Sequence, residues 1–281
     1  MKLGVLARPR HPELADVLQR LSGAAETLGF ELFGDEAVRA VTPGMPILPD
    51  TLSDVDVLLT LGGDGTLLRG ARAAGPCHVP VIGCNLGNLG FLTAGASDEL
   101  EEMLRLVRSG ECVEERRLAL EVTAAEKSWY ALNDAVVHKT GLARMLRMRV
   151  WIDGDEVGQY SADGIIVSTA TGSTAYSLSA GGPILVPSLG AIVATPICPH
   201  TLGIRPLVMG SASTISIDIL SGMEGTLVTV DGQAGGNLGQ GDRVRIRRSP
   251  HDVRLLRMPD DNFFSVLRQK LRWGDVRPDE E

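Results

Sequence analysis

Three glycines and one carboxylate stand together at Gly62-Gly63-Asp64-Gly65-Thr66, between an aliphatic run ending at Leu61 and a helical pattern beginning at Leu67. Glycines let the backbone turn sharply and approach an anion closely, so that successive N–H groups and the start of the following helix point at phosphate oxygens. A carboxylate in that setting has work to do only with a proton or a cation. Asp64 can accept the proton of an attacking hydroxyl, or contact a Mg²⁺ ion that neutralises a transferring phosphoryl group. Taken alone, the pentapeptide also reads as a tight turn with a solvated aspartate.

Two further clusters carry polar chemistry. Asp163 to Ser168 reads as a strand that leads into Thr171-Gly172-Ser173-Thr174-Ala175-Tyr176-Ser177-Leu178-Ser179-Ala180-Gly181-Gly182-Pro183. A helix begun by such a segment offers free N–H groups and a high density of hydroxyls, which suits the many acceptors of a nucleotide, and equally suits caps and close packing. Asn133-Asp134 interrupts the otherwise strand-like Tyr130 to Val137. Adjacent polar residues there project to opposite faces or mark a strand end or bulge, and together an amide and a carboxylate can hold a ribose diol. The G-x-x-x-x-G-K-[ST] loop, the G-x-G-x-x-G fingerprint and the H-R-D catalytic loop are all missing.

The elements that must position these residues follow two grammars. From Leu3 to about Ser97, short aliphatic runs (Leu3 to Ala7, Val55 to Leu61, Val79 to Gly83) alternate with helical patterns, the first from about Pro12 to Leu28 with Gly29 as its stop. That alternation predicts parallel strands joined by crossover helices. After a helix at Asp98 to Arg108, apolar and polar residues alternate strictly: Leu118, Leu120 and Val122; Met148, Val150 and Ile152; Ile215, Ile217 and Ile219; Val244 and Ile246. Each set marks a strand with one buried face, and Asp153-Gly154 marks a hairpin turn. A last helix runs from Phe263 to Trp273 and returns to the first domain, leaving a frayed acidic tail at Asp279 to Glu281. The expected fold is a Rossmann-like α/β N-terminal domain with a parallel sheet, plus a β-rich C-terminal domain of antiparallel strands. The expected boundaries are 1–98 with about 258–281, and 99–257.

Composition limits the partners. The chain has 281 residues, 44% of them hydrophobic, and a net charge of −8 from 27 Lys plus Arg against 35 Asp plus Glu. That sign disfavours a nucleic-acid surface, yet backbone N–H groups suffice for a phosphorylated small molecule. Cys77, Cys84, Cys112 and Cys198 form no C-x-x-C pair and read as free thiols of a reducing cytoplasm. The apolar stretch near Leu189 to Cys198 is broken by Pro187 and Pro196, which rules out a membrane span there. Arg243, Arg245, Arg247 and Arg248 read as the wet face of a strand, His200 as structural, and His138 and Lys139 as solvated strand ends. Arg69 and Arg72, one turn into the helix after Gly65, are candidates for donor phosphates.

In this order, Gly62 to Thr66, Asn133-Asp134 and Asp163 to Pro183 closely resemble the NAD kinase family. The resemblance extends to Leu3 to Pro9, Gly87-Asn88-Leu89-Gly90-Phe91-Leu92, Pro196 to Leu202 and Val230-Asp231-Gly232-Gln233. It implies phosphorylation of the 2′-hydroxyl on the adenosine ribose of NAD, with ATP or in some members polyphosphate as donor and a divalent metal, usually Mg²⁺, giving NADP. By matching positions it implies Asp64 as the catalytic carboxylate, with Gly62, Gly63, Gly65 and Thr66 around the phosphates. Asn133, Asp134, Thr174, Ala175, Tyr176 and Ser179 would line the dinucleotide pocket, with Phe91 near it. Members form dimers or tetramers, and Asp163 would reach the ligand across a subunit contact. Many members carry Glu where this chain has the shorter Asp134. Two other readings share parts of this pattern: a diacylglycerol-type lipid kinase, against which the missing G-T-G-N-D segment counts, and a non-catalytic NADP(H) sensor, against which Asp64 counts.

Overall fold

The computed structural model describes residues 1–49, 51–87, 90–140, 145–201, 203–221 and 225–272. Asn88, Leu89, Leu202, Trp273 and the acidic tail lie outside them. By chain contacts the protein divides into two units, 1–116 with 253–281, and 117–252.

The first unit begins β1 (Lys2–Ala7), α1 (Leu14–Leu28), β2 (Glu31–Gly34), α2 (Glu36–Arg39), β3 (Val57–Leu61), α3 (Asp64–Ala74), β4 (Val81–Asn85), β5 (Gly95–Ala96), α4 (Leu100–Ser109) and β6 (Val113–Arg117). Helix α4 and most of β6 thus group with this unit, although the sequence grammar changes before them. Neighbouring β1, β2, β3 and β4 pair in parallel, and β3 is buried at every position, which is why it reads as an unbroken aliphatic run. Helix α1 lays Leu14, Val17, Leu18 and Leu21 against Leu3, Val5, Leu59 and Leu61 of the sheet. Each such leucine, fully buried, contributes about 1.5–3 kcal/mol. The helix stops where expected, at Gly29 with φ 72°, a left-handed cap that costs glycine little.

The second unit comprises β7 (Leu120–Ala124), β8 (Lys127–Ala131), β9 (Asp134–Lys139), β10 (Leu146–Ile152), β11 (Asp155–Ala162), β12 (Gly164–Thr169), α5 (Tyr176–Ser179), β13 (Ala191–Ile197), β14 (Leu207–Gly210), β15 (Ile215–Ser221), β16 (Thr226–Val230), β17 (Gln233–Leu238) and β18 (Arg243–Arg248). These strands form two antiparallel sheets, ordered β11-β10-β15-β18-β7-β8 and β14-β13-β12-β9-β16-β17. The alternating residues do as their period requires. Leu120, Val122, Met148, Val150, Ile217 and Val244 from one sheet share a core with Ala135, Val137, Ile165, Val167 and Val228 from the other. Asp153 and Gly154 both adopt positive φ in the β10–β11 hairpin, as a tight turn of this type demands. The chain then returns to the first unit through β19 (Val253–Arg257), parallel to β4, and α6 (Phe263–Leu271). No helix among the described residues is long and apolar enough to cross a membrane.

Of the readings open for Asn133-Asp134, the structure takes the strand end: β8 stops at Ala131, the chain breaks at Leu132-Asn133, and β9 begins at Asp134. One local expectation needs correction: the segment from Thr171 is not a regular helix, because a 3₁₀ turn at Thr171–Thr174 precedes the single helical turn α5. Two of its hydroxyls are occupied locally, Ser173 Oγ donating to the Ala170 carbonyl at 2.7 Å and Thr174 Oγ1 to that of Thr171 at 3.3 Å, so they compete with helical bonding.

Candidate active site

In the first unit, β3 ends at Leu61 and the chain turns through Gly62 and Gly63 into α3. A Cβ on Gly62 would lie 2.3 Å from Thr66 Oγ1, so the turn closes only over a glycine. Asp64 occupies the first helical position, at the N-terminal end of α3. Its carboxylate is held from the other side by the loop after β4: Phe91 N–H donates to Oδ2 at 2.9 Å and Leu92 N–H to Oδ1 at 3.0 Å. One donor per oxygen fixes the plane of the group and leaves further lone pairs for a proton or a cation. Gly65 and Thr66 follow in the same first turn. Arg69 Nη2 donates to the Ala7 carbonyl at 2.6 Å and to Asp35 at 3.1 Å, which ties α3 to β1.

In the second unit, the residues picked out near Asn133 and Thr171 are stitched together. Thr169 N–H and Ser168 Oγ donate to the Asn133 carbonyl at 2.9 and 3.1 Å, and Thr169 Oγ1 donates to that of Leu132 at 2.6 Å. The turn rides so close that a Cβ on Gly172 would stand 2.2 Å from the Asn133 carbonyl oxygen. Asn133 Oδ1 is buried and has no hydrogen-bond partner among the described residues, an acceptor left for a donor group. Thr174 and Ala175 are half-buried, while Tyr176, at 47% exposure, and Ser179 lie open to solvent. Asp163, at the foot of β12, pairs with Lys139 at 2.8 Å, so Lys139 is not merely a solvated strand end.

The residue that sequence reasoning left without a role is Asp231. It sits at 7% exposure in the β16–β17 turn with φ 47°, and its carboxylate accepts the backbone N–H groups of Leu132, Asn133 and Asp134 at 3.1, 2.8 and 3.3 Å. This is what breaks the strand at Asn133. The sequence signal was Asp231-Gly232, an ordinary hairpin turn whose carboxylate proves to be turned inward. Asp134, at 4% exposure, lies beside it, and burial pushes the Asp134 carboxyl up to about 7, the Asp231 charge adding to the effect.

The sign of that shift sets a pH dependence. An unfolded aspartate titrates near ~3.9, so between about pH 4 and 7 the native state binds the extra proton and stability falls as pH rises through that window. Asp134→Asn is therefore expected to flatten the fall in Tm between pH 5 and pH 8 and to exceed the parent's Tm at pH 8. Parallel Tm curves for the two proteins would show that Asp134 carries no such shift.

Among the described residues no group of three or more His, Cys, Asp or Glu could hold a metal by itself. The four cysteines are free, and burial pushes the Cys84 thiol up to about 12, too high for a nucleophile. A strand-end glycine turn with one amide-held carboxylate, on a parallel α/β unit, is the equipment of a phosphotransferase with an alcohol acceptor. Comparison with known proteins narrows the class. Residues 47–112 match the ATP-NAD kinase N-terminal domain and residues 132–258 the ATP-NAD kinase C-terminal domain. An NAD kinase of Gemmatimonas aurantiaca is 44% identical over 98% of this chain and 97% of its own length, and one of Koribacter versatilis is 40% identical over 97% and 98%. Among solved structures, yeast NADH kinase complexed with NADH superposes with a TM-score of 0.86 at 26% identity, covering 100% of this chain and 90% of the other. An Archaeoglobus fulgidus NAD kinase in complex with ATP gives 0.78 at 27% identity, covering 97% and 99%. The chain belongs to the ATP-NAD kinase family, and the expected fold class, an α/β unit followed by antiparallel sheets, holds.

Proposed function

We propose that the protein transfers the terminal phosphoryl group of ATP to the 2′-hydroxyl of the adenosine ribose of NAD, forming NADP, with Asp64 as the general base. The observation that carries this reading is the Asp64 carboxylate itself, placed at the start of α3 and held by the N–H groups of Phe91 and Leu92. In the step, the ribose oxygen forms its bond to the γ-phosphorus as the bond from that phosphorus to the β–γ bridging oxygen breaks. The hydroxyl proton passes to Asp64 and ADP leaves. Gly62, Gly63, Gly65 and Thr66 supply the close backbone approach for donor phosphates. Asp64 would be the residue to meet a Mg²⁺ ion, which when bound would supply neutralisation of charge on the transferring group.

Asn133 and Asp134 take the polar groups of the dinucleotide. The buried, unpartnered Asn133 Oδ1 supports this, as does the protonation of Asp134 near neutral pH, which gives it a proton to donate. Thr174, Ala175, Tyr176 and Ser179 offer a mixed polar and aromatic surface to the same ligand, and Phe91 flanks the Asp64 loop. The protein works as a cytoplasmic homodimer or homotetramer in which Asp163 serves a neighbouring subunit's ligand. Exposed Leu207 and Val208 on β14, at the edge of the sheet that contains β12, support assembly through this unit. The test is to incubate purified protein with NAD, ATP and Mg²⁺ and to follow NADP. Parallel incubations use polyphosphate as donor and diacylglycerol as acceptor. NADP formation is expected; phosphorylated lipid without NADP would overturn the assignment.

A further inference from the structure

Helix α6 and strand β19 carry none of the motifs that mark the site, yet one of their residues reaches the loop that holds Asp64. Arg257, the last residue of β19, is 3% exposed. Its Nη1 donates to the carbonyls of Thr93 at 3.1 Å and Phe91 at 3.4 Å, and its Nη2 pairs with Asp261 at 2.6 Å. Burying a guanidinium is costly unless its donors are met, and the backbone of one short loop and one carboxylate meet several of them. The loop cannot slide along β4, because Ala94 N–H is bonded to the Gly83 carbonyl at 2.8 Å.

The carbonyl of Phe91 and the N–H of Leu92 belong to the same peptide group. That group is planar and rigid, so whatever fixes one end fixes the other. Arg257 holds the oxygen end, and the N–H end holds Asp64 Oδ1 at 3.0 Å. A cation at the carbonyl also polarises the amide and strengthens its N–H as a donor. Lys270 of α6 adds a contact from the same returning segment, its Nζ lying 5.4 Å from the Phe91 ring centre.

We propose that Arg257, braced by Asp261, is a positioning residue for Asp64, orienting and polarising the Phe91–Leu92 peptide that grips the carboxylate. This rests on the reading of Asp64 as the base. Because Arg257 acts through Asp64, its loss must lower turnover while leaving dinucleotide affinity alone, and must have no effect where Asp64 is already gone.

The experiment compares the full-length parent, Arg257→Lys, Asp261→Asn, Asp64→Asn and the double variants, measuring kcat, KM for NAD and Tm. Arg257→Lys is expected to lower kcat roughly 10- to 10²-fold, the scale of a displacement of about 1 Å at a reacting group, with KM for NAD within about twofold. Asp261→Asn, which keeps the guanidinium and takes the charge from its brace, is expected to lower kcat roughly 3- to 10-fold, and serves if Arg257→Lys folds poorly. Neither change should lower the residual rate of Asp64→Asn further. Unchanged kcat in both single variants, a KM effect at constant kcat, or full multiplicative loss on the Asp64→Asn background would each overturn the proposal. A parent-like rate in Asp64→Asn alone would instead remove the reading on which it rests.

Discussion

Asp64→Asn is expected to lower kcat by at least about 10²-fold, the contribution of a positioned general base, while NAD still binds with an affinity near the parent's. The separation follows from where the contacts lie. The groups assigned to the dinucleotide are held by Asp231, Ser168, Thr169 and Gly172 within the second unit, whereas the Asp64 carboxylate is held by Phe91 and Leu92 within the first. Asparagine also disturbs its own holding: each carboxylate oxygen accepts a backbone N–H, so a carboxamide must turn its NH₂ toward one of those donors. Asp64→Ala removes that conflict and should lose as much turnover. Calorimetric titration with NAD alongside steady-state kinetics decides the matter. Near-parent turnover in either variant would take Asp64 out of the base role.

Short-range signals carried most of the fold. The alternation at Met148, Val150 and Ile152 or at Ile215, Ile217 and Ile219 is set by neighbours two residues away, and the buried faces are those the period selects, Ile152 alone lying only partly buried. Gly29 and the Asp153-Gly154 turn declare themselves because few other residues adopt those backbone angles. What could not be read is set by distance along the chain. The break at Asn133 depends on Asp231, and the hold on the Asp64 loop depends on Arg257, neither close in sequence to what it organises. The Thr171 segment looked like a helix start because its composition suits caps. It stays a turn because Gly172 must lie against the Asn133 carbonyl and the hydroxyls bond locally. Asp64 stood out by its odd chemistry among glycines; its partners Phe91 and Leu92 act through backbone N–H groups, which leave no mark on residue type.

That backbone hold makes Gly90→Ala the other large effect expected. An alanine Cβ there would sit 2.0 Å from Asp64 Oδ1 and 2.8 Å from its Cγ, far inside van der Waals contact, and 2.9 Å from Thr93 Oγ1. Ordinarily a clash with a side-chain end is relieved cheaply by rotation. Here rotation breaks the bonds from Phe91 and Leu92 that define the carboxylate's position, while the alternative, a shift of the loop, strains the Arg257 contacts at Phe91 and Thr93. Either way the base moves by about 1 Å or more, and a kcat loss of about 10²-fold is expected, with KM for NAD little changed. The fold should survive, since the displaced atoms belong to a half-exposed carboxylate rather than to the core. Gly23→Ala on the outer face of α1, where a Cβ meets nothing within 4 Å, is the control for an alanine as such. It should leave turnover unchanged and raise stability by about 0.4–1 kcal/mol. A Gly90→Ala enzyme that turns over like Gly23→Ala would mean that the carboxylate reaches its working position without the Phe91 and Leu92 amides.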